Sequence, residues 1–194
     1  KIPPMDSTQT DSVTYEEIKA YHKVRFYKSD LQGVCDSVVY NALDSMVYLC
    51  KNPVLWSDEN QMTGFDIRLK LSDNNTKLEQ IIIQSDAFVV AQCDDDKFNQ
   101  MKGKSLIGYI KNNELVRVDM FQNGETLYYL KDEDEIVGVN RAVCNDISAY
   151  LKNGKINQIV FKNQPEGTFS PVEQFPQKLS RIDNFKWHDA IRPV

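Results

Sequence analysis

The sequence is poor in the residues that build catalytic centres. Its two histidines, His22 and His188, lie at opposite ends of the chain, and neither has a cysteine or carboxylate at metal-ligand spacing. A zinc site or a Ser-His-Asp site is therefore not expected. No glycine-rich phosphate loop occurs, and the acidic run at 94–96 lacks the glycine and later glutamate of a helix-loop-helix calcium site. We expect a protein that is not an enzyme and that binds no cofactor or metal.

Long apolar runs and an excess of basic charge are also missing. No stretch approaches the roughly 18 apolar residues of a membrane helix. Residues 1–4, KIPP, do not begin the apolar region that a signal peptide contains. If the protein is exported, we therefore expect this sequence to be a mature or trimmed chain. The formal net charge is −5, with lysines and arginines scattered, whereas phosphate binding needs a basic stripe. Nucleic acid is therefore not an expected partner.

What the sequence does contain is a short motif that occurs more than once, here called the repeated phrase. Residues 60–67 read NQMTGFDI and residues 99–106 read NQMKGKSL, while looser versions begin at residue 140 (NRAVCNDI) and at residue 31 (LQGVCDSV). Each version begins a stretch in which apolar and polar residues alternate. A polar turn, a second alternating stretch and a break containing Asn, Asp, Gly or Pro follow. The pattern predicts about four units of roughly 40 residues between about residues 25 and 171.

Apolar residues two positions apart in each unit predict strands with one buried face. The residues expected on that face are Ile67, Leu69, Leu71, Ile81, Ile83, Leu106, Ile110, Val118, Met120, Ile147, Leu151 and Phe161. Asn153-Gly154 is the strongest hairpin signal, and SVTYEEIKAYH at 12–22 is consistent with a short helix or another strand. No Gly- or Ser-rich linker divides the chain, so we expect one elongated all-β body.

The cysteines Cys35, Cys50, Cys93 and Cys144 allow one pairing to be considered. If residues 41–44 form a four-residue hairpin loop, Tyr40 faces Ser45 and Cys35 lies directly opposite Cys50. A disulfide can form there only if the two residues are a non-hydrogen-bonded pair. The alternative is that both are small buried hydrophobic side chains. Cys93 and Cys144 have no partner evident in the sequence.

The segments LQGVCDS, NPVLW and NQMTGFDI at 31–67, followed by the two further copies, resemble the OstA-like family. This family comprises the organic-solvent-tolerance or LptA-type lipopolysaccharide-transport proteins of Gram-negative bacteria, and the likeness is greatest to the branch found in Bacteroidetes. It covers about residues 22–175, leaving a lead-in at 1–21 and a tail at 176–194 that packs on the body or leads out of it. The resemblance implies a repeat-built antiparallel β-jellyroll, with two facing sheets folded like a taco and open along one side.

The resemblance also implies a function. It predicts a periplasmic carrier of lipopolysaccharide, associated with transport to the outer membrane, whose twelve inward residues line an apolar groove for acyl chains. Members of the family join end to end through edge strands, which implies other β-jellyroll transport proteins, or further copies of this chain, as partners.

A second hypothesis is a structural or adhesive β-repeat module with protein or glycan partners, whose interior is only a core. Such a closed core should combine large and small residues to fill itself. Gly108 and Ala149, both expected on the inward face, fit either hypothesis.

Overall fold

The computed structural model describes residues 16–72, 74, 76–133 and 135–194. Strands hold 69% of these residues, and the helices among them are three short 3-10 turns near the C-terminus. The all-β prediction is therefore confirmed. None of the helices among these residues has the length and hydrophobicity that a membrane-spanning helix requires.

The strands are antiparallel and follow one another through short connections. They are β1 Glu17–Lys28, β2 Leu31–Asn41, β3 Met46–Cys50, β4 Val54–Ser57, β5 Asn60–Thr63, β6 Asp66–Leu71, β7 Leu78–Ile83, β8 Ala87–Asp94, β9 Lys97–Gly103, β10 Ser105–Lys111, β11 Glu114–Asp132, β12 Glu135–Lys152, β13 Lys155–Lys162 and β14 Glu166–Pro171. The 3-10 turns are Val172–Gln174, Gln177–Leu179 and Asp189–Ile191.

The strands form two facing layers, because β1, β2, β11 and β12 bend and contribute to both. On one side of its bend, β12 pairs with β13; on the other, it pairs with β14. We call the layer that contains β3, β6, β7, β10 and β13 the hairpin layer. The layer that contains β4, β5, β8, β9 and β14 is called the strap layer, because the tail described below crosses it.

Backbone in the left-handed region turns the returning strands through the corners between the layers. Pairs of consecutive residues with φ between 54° and 69° occur at His22-Lys23, Lys51-Asn52, Gln122-Asn123 and Asn163-Gln164. Asparagine tolerates this conformation better than most residues, which explains why the breaks between alternating stretches contain it.

Two of the hairpin tips are tight two-residue turns. Lys152 pairs with Lys155 across Asn153 and Gly154, whose φ values of 52° and 73° are those of a type I′ turn, so this prediction is confirmed. Residues 112–113 form a second turn of this kind, with φ values of 53° and 66°.

The predicted register of the first hairpin is wrong. Asn41 pairs with Met46, so the loop is residues 42–45, and Cys50 lies opposite Ser37. The cause is local, because Asn41 and Asp44 accept hydrogen bonds from the N–H groups of Leu43 and Met46 and fix the loop one residue later than predicted. Cys35 and Cys50 are therefore not directly opposed, and all four thiols are free.

The N-terminal boundary also differs from the expectation. Glu17 to Tyr21 pair with β2, so the helix alternative is wrong for this part of the 12–22 stretch, and the expected boundary at residue 22 falls inside β1. The remainder of the lead-in, residues 1–15, lies outside the described residues.

Candidate functional site

The hairpin layer turns an apolar face towards the strap layer. Strand register places equivalent residues of successive units side by side in rows. One row is Ile67, Ile83, Leu106, Met120, Ile147 and Phe161; the next is Leu69, Ile81, Gly108, Val118, Ala149 and Ile159. Leu71, Ile110 and Leu151 lie one step further out, at the hairpin tips. All the predicted lining residues therefore share one face.

Most of that lining is packed against the other layer. Leu71, Ile110, Leu151 and Phe161 are half-buried, and the remaining predicted residues are buried. Facing them in the same apolar cluster are strap-layer side chains, namely Cys35, Leu55, Met62, Ala87, Val89, Met101 and Cys144. Leu115 packs over Gly108, where an added Cβ would lie 3.1 Å from its Cδ1. Large and small residues thus complement one another in this part of the interior.

Glycines at the corners allow the two layers to approach closely. A Cβ added at Gly64 would lie 2.2 Å from Ile83 Cγ2, one at Gly103 would lie 2.4 Å from the Met120 side chain, and one at Gly124 would lie 2.7 Å from Ile147 Cδ1. The corner side of the interior is therefore closed and tightly packed.

The opposite side of the interior opens to the surface. A space of about 220 Å³, here called the cleft, lies between β13 and the strap layer. Its apolar lining comprises Ile156, Ile159 and Phe161 from β13, together with Tyr128 and Leu130 from β11. A smaller space of about 20 Å³ shares Tyr128, Ile156 and Ile159 with the cleft and reaches Met101 and Val89 of the core. The apolar lining thus continues from the core to the surface, and Phe161 is the predicted residue that lies in the cleft.

The strap-layer wall near the cleft is polar, which the sequence analysis missed. Asn60, Asn99 and Asn140 begin the second, third and fourth versions of the repeated phrase and lie on the inner face. Asn60 Nδ2 donates to Gly154 O at 3.1 Å, which links the strap layer to the last hairpin tip. Asn99 Oδ1 accepts a hydrogen bond from Tyr129 N at 2.9 Å. The recurring Asn was the available signal, because alternation assigns it to the face that Met62 and Met101 occupy.

The second residue of the phrase faces the other way and holds the C-terminal tail. Gln61 Nε2 donates to Lys186 O at 2.8 Å, while its Oε1 accepts from His188 N at 2.7 Å. Gln100 repeats this arrangement with Ser180 O and Ile182 N, at 2.8 Å each. Each glutamine therefore satisfies one carbonyl and one N–H group of the tail.

The units at either end complete the attachment. Arg141, which replaces the glutamine in the fourth unit, donates to Leu179 O, and Gln32 of the first unit accepts two hydrogen bonds from Arg192. Arg25 of β1 donates to Ile191 O at 3.0 Å. Residues 172–194, here called the strap, thus cross the outer face of the strap layer from β12 to β1.

The strap also covers an apolar surface. Phe175, Ile182, Phe185 and Trp187 pack on a cluster formed by Phe88, Val90, Phe98, Leu127, Tyr129 and Val139. His188, one of the two histidines, belongs to the strap, and burial together with nearby Lys186 lowers its pKa. A lowered pKa keeps the imidazole neutral at neutral pH.

The thiols lie in apolar surroundings. Burial, followed by the proximity of Cys50, raises the pKa of Cys35 to about 11. Burial likewise raises the pKa of Cys93 and of Cys144. Such thiols are poor nucleophiles and poor metal ligands. Among the described residues, no group of three or more His, Cys, Asp or Glu side chains is placed to hold a metal ion.

Comparison with known proteins identifies the fold. No protein-family model matches the sequence, and no curated protein matches it. A solved structure does match: LptH from Pseudomonas aeruginosa, described as the LptA-homologous periplasmic component of the conserved lipopolysaccharide transport device. The two share 13% sequence identity with a TM-score of 0.52, over 74% of this chain and 98% of LptH. The chain therefore has an LptA-type β-jellyroll fold, and this structural neighbour is a transport protein rather than an enzyme.

Proposed function

We propose that the chain is a non-enzymatic periplasmic carrier that holds the acyl chains of lipopolysaccharide on their way to the outer membrane. The observation that carries this proposal is the apolar lining, which runs through successive units and reaches the surface in the cleft beside β13. The likeness to LptH, itself a periplasmic component of lipopolysaccharide transport, supports the same function. Membership of the Bacteroidetes-type OstA branch and association with the outer membrane are parts of this proposal.

The physical requirement is burial of an acyl chain without a chemical reaction. Each buried methylene contributes about 0.8 kcal/mol, so a chain of a dozen carbons supplies on the order of 8 kcal/mol before the cost of immobilising it. The cleft accepts the first part of such a chain. Deeper entry requires the half-buried hairpin tips at Leu71, Ile110 and Leu151 to move away from the strap layer, while the glycine-packed corners act as the hinge.

Edge strands provide the proposed route to partners. Within the described part of the chain, β1 pairs only with β2, whereas β13 and β14 pair only with β12. Both layers therefore end in a free strand edge at each end of the body, which another chain can extend by β-augmentation. The proposed partners are other β-jellyroll transport proteins or a further copy of this chain.

Photo-crosslinking in a Gram-negative envelope tests the carrier function. A benzophenone amino acid replaces Phe161 in the cleft in one variant and Tyr109, on the outer face of the hairpin layer, in a matched control. Both are aromatic positions, so the substitution is similar in size. We expect lipopolysaccharide adducts at position 161 and none at position 109. Equal labelling of both positions, or no labelling at either, contradicts the proposal.

One observation favours a second candidate function. The interior near the corners is closed, with Ile67, Leu106 and Met120 fully buried between the layers. This is the packing expected of a structural or adhesive module whose interior is only a core. If no adduct forms at position 161, this module becomes the preferred function, and its partners are to be sought on the outer faces.

A further inference from the structure

One polar side chain stands in the innermost apolar row of the strap layer. The row consists of Leu55, Met62, Val89, Met101, Thr126 and Ala142, which are paired in register across successive strands. Thr126 is 1% exposed, and its Oγ1 has no hydrogen-bond partner among the described residues. A buried hydroxyl without a partner is destabilising. Packing alone therefore does not explain why a threonine occupies this position.

The surroundings of Thr126 belong to the interior that the proposed carrier would use. Thr126 lines the 20 Å³ space at the inner end of the cleft, next to Met101 and Ile159. Asn99 lines the same space; its Oδ1 is taken by Tyr129 N, and its Nδ2 makes no hydrogen bond within the described residues. Asn140 lines the cleft itself. Thr126, Asn99 and Asn140 thus place hydrogen-bond donors on one wall, while Ile156, Ile159 and Phe161 are the apolar residues of the other, which Asn157 and Gln158 line from exposed positions.

A plain hydrocarbon chain satisfies none of these donors, whereas an acyl group carries a carbonyl oxygen at the start of its hydrocarbon. We propose that Thr126, with Asn99 and Asn140, forms a polar subsite that binds the carbonyl of an amide- or ester-linked acyl chain. The hydrocarbon then lies along β13. This inference rests on the proposed function and specifies the ligand class further: acylated amphiphiles are preferred over simple alkyl ones.

The geometry explains why the subsite lies at this depth. Thr126 belongs to the apolar row, beside Met101, and lies next to the polar row that contains Asn99, so a carbonyl held there directs its chain towards apolar surface. A space of 20 Å³ also admits one water molecule. The test must therefore separate a ligand oxygen from a water that satisfies Thr126 without affecting binding.

Two ligands with a hexose head group and the same chain length provide that separation. Binding of N-dodecanoylglucosamine and of dodecyl glucoside to the full chain is measured by titration calorimetry below their critical micelle concentrations. The first ligand has an amide carbonyl at the start of its chain, whereas the second has a glycosidic oxygen there and no carbonyl. We expect the unsubstituted protein to bind the amide roughly two- to tenfold more tightly, as one additional hydrogen bond predicts.

Variants at position 126 assign that preference to the hydroxyl. Thr126→Val has nearly the same shape and should lose the preference for the amide while keeping its affinity for dodecyl glucoside. Thr126→Ser keeps a hydroxyl and should retain the preference. Thr63→Val, on the same layer but outside the cleft, is the matched control and should change neither affinity. The thermal unfolding midpoint of the ligand-free Thr126→Val variant should be equal to or higher than that of the parent, because a buried hydroxyl has been removed.

The outcomes distinguish the two proposals. If neither ligand binds the unsubstituted protein, the carrier function is overturned together with this inference. If both ligands bind equally, or if Thr126→Val keeps the amide preference, the subsite is overturned and the carrier function stands. Should Thr126→Val fold poorly, the comparison of the two ligands on the unsubstituted protein and on Thr126→Ser still decides the question.

Discussion

At the scale of the residue, the repeated Asn-Gln-Met phrase places three side chains with different roles at consecutive positions of a strand. The Asn and the Met face the interior, and the Gln between them faces the strap. A glutamine amide can donate and accept at once, so a single side chain matches both groups of a passing peptide backbone. Glutamate offers no donor at neutral pH, and leucine offers neither group.

Gln61 provides the test of this role. Gln61→Leu leaves Lys186 O and His188 N without their partner beneath the strap, and each unsatisfied group costs about 1–3 kcal/mol. We expect the free energy of unfolding, measured by urea denaturation, to fall by about 2–4 kcal/mol. Gln80→Leu on the hairpin layer is the control and should change it by no more than about 0.5 kcal/mol. Similar losses for both variants would contradict the assigned role.

Cys35 gives a second prediction at this scale. Because burial and the nearby Cys50 raise the pKa of its thiol to about 11, the thiolate is disfavoured in the folded protein. The rate of alkylation by iodoacetamide, followed by mass spectrometry of the Cys35 peptide, should therefore rise with a midpoint near pH 11 in the native protein. In urea the midpoint should return to 9.0, the ordinary pKa of a cysteine thiol. A native midpoint at or below that value is the contrary result.

At the scale of the element, the corners hold the layers together. The corner glycines accept side chains from the inner row, so their role is to permit a close approach rather than to supply an unusual backbone conformation. Gly64 has the closest contact, with Ile83 Cγ2 2.2 Å from the position of an added Cβ. Ile83 is β-branched and fully buried, so it cannot rotate away easily.

Gly64→Ala should accordingly overpack this corner. We expect a loss of about 1–3 kcal/mol in the free energy of unfolding, the usual range for added core volume. Gly167→Ala, on the exposed edge strand β14, is the matched control and should have a smaller effect. In a double-mutant cycle, Ile83→Ala should relieve part of the loss; strictly additive effects would show that the two positions do not interact.

Strands and their faces could be predicted from the sequence because alternation is a local signal. Leu69, Ile81, Val118 and Ile159 share one row, as the aligned units indicate. The first hairpin could not be placed correctly, since its register depends on which Asn and Asp oxygens cap the loop. The strap has no alternation, and its attachment depends on glutamines distant in sequence. Likewise, the unpartnered hydroxyl of Thr126 has no sequence signature, because it depends on how adjacent strands meet.

At the scale of the whole molecule, the ends of the body are less well covered than its faces. The strap covers the outer face of the strap layer, whereas the edge of β1 carries exposed apolar side chains at Ile18, Tyr21 and Tyr27. An unpaired edge with such side chains is prone to pair with another chain.

Self-association should therefore depend on the β1 edge. We expect the average molar mass from light scattering to rise with protein concentration towards the millimolar range. The double variant Ile18→Lys, Tyr21→Lys should remain monomeric, because charges on an edge strand oppose pairing. Leu43→Lys, at an exposed position in a hairpin turn, is the control and should associate like the parent. A parent protein that stays monomeric throughout contradicts edge pairing.

The length of the strap also limits how wide the strap layer can be. It meets one side chain on β12, β9, β5 and β2 in turn, so its reach matches the width of the layer. One more unit would widen the layer by two strands, or about 10 Å, equivalent to about three residues of extended chain. Duplicating a unit without lengthening the C-terminus would leave either the Arg141 or the Gln32 contact unmade. A longer β-sheet assembly is therefore more readily built by joining separate chains than by adding units to this one.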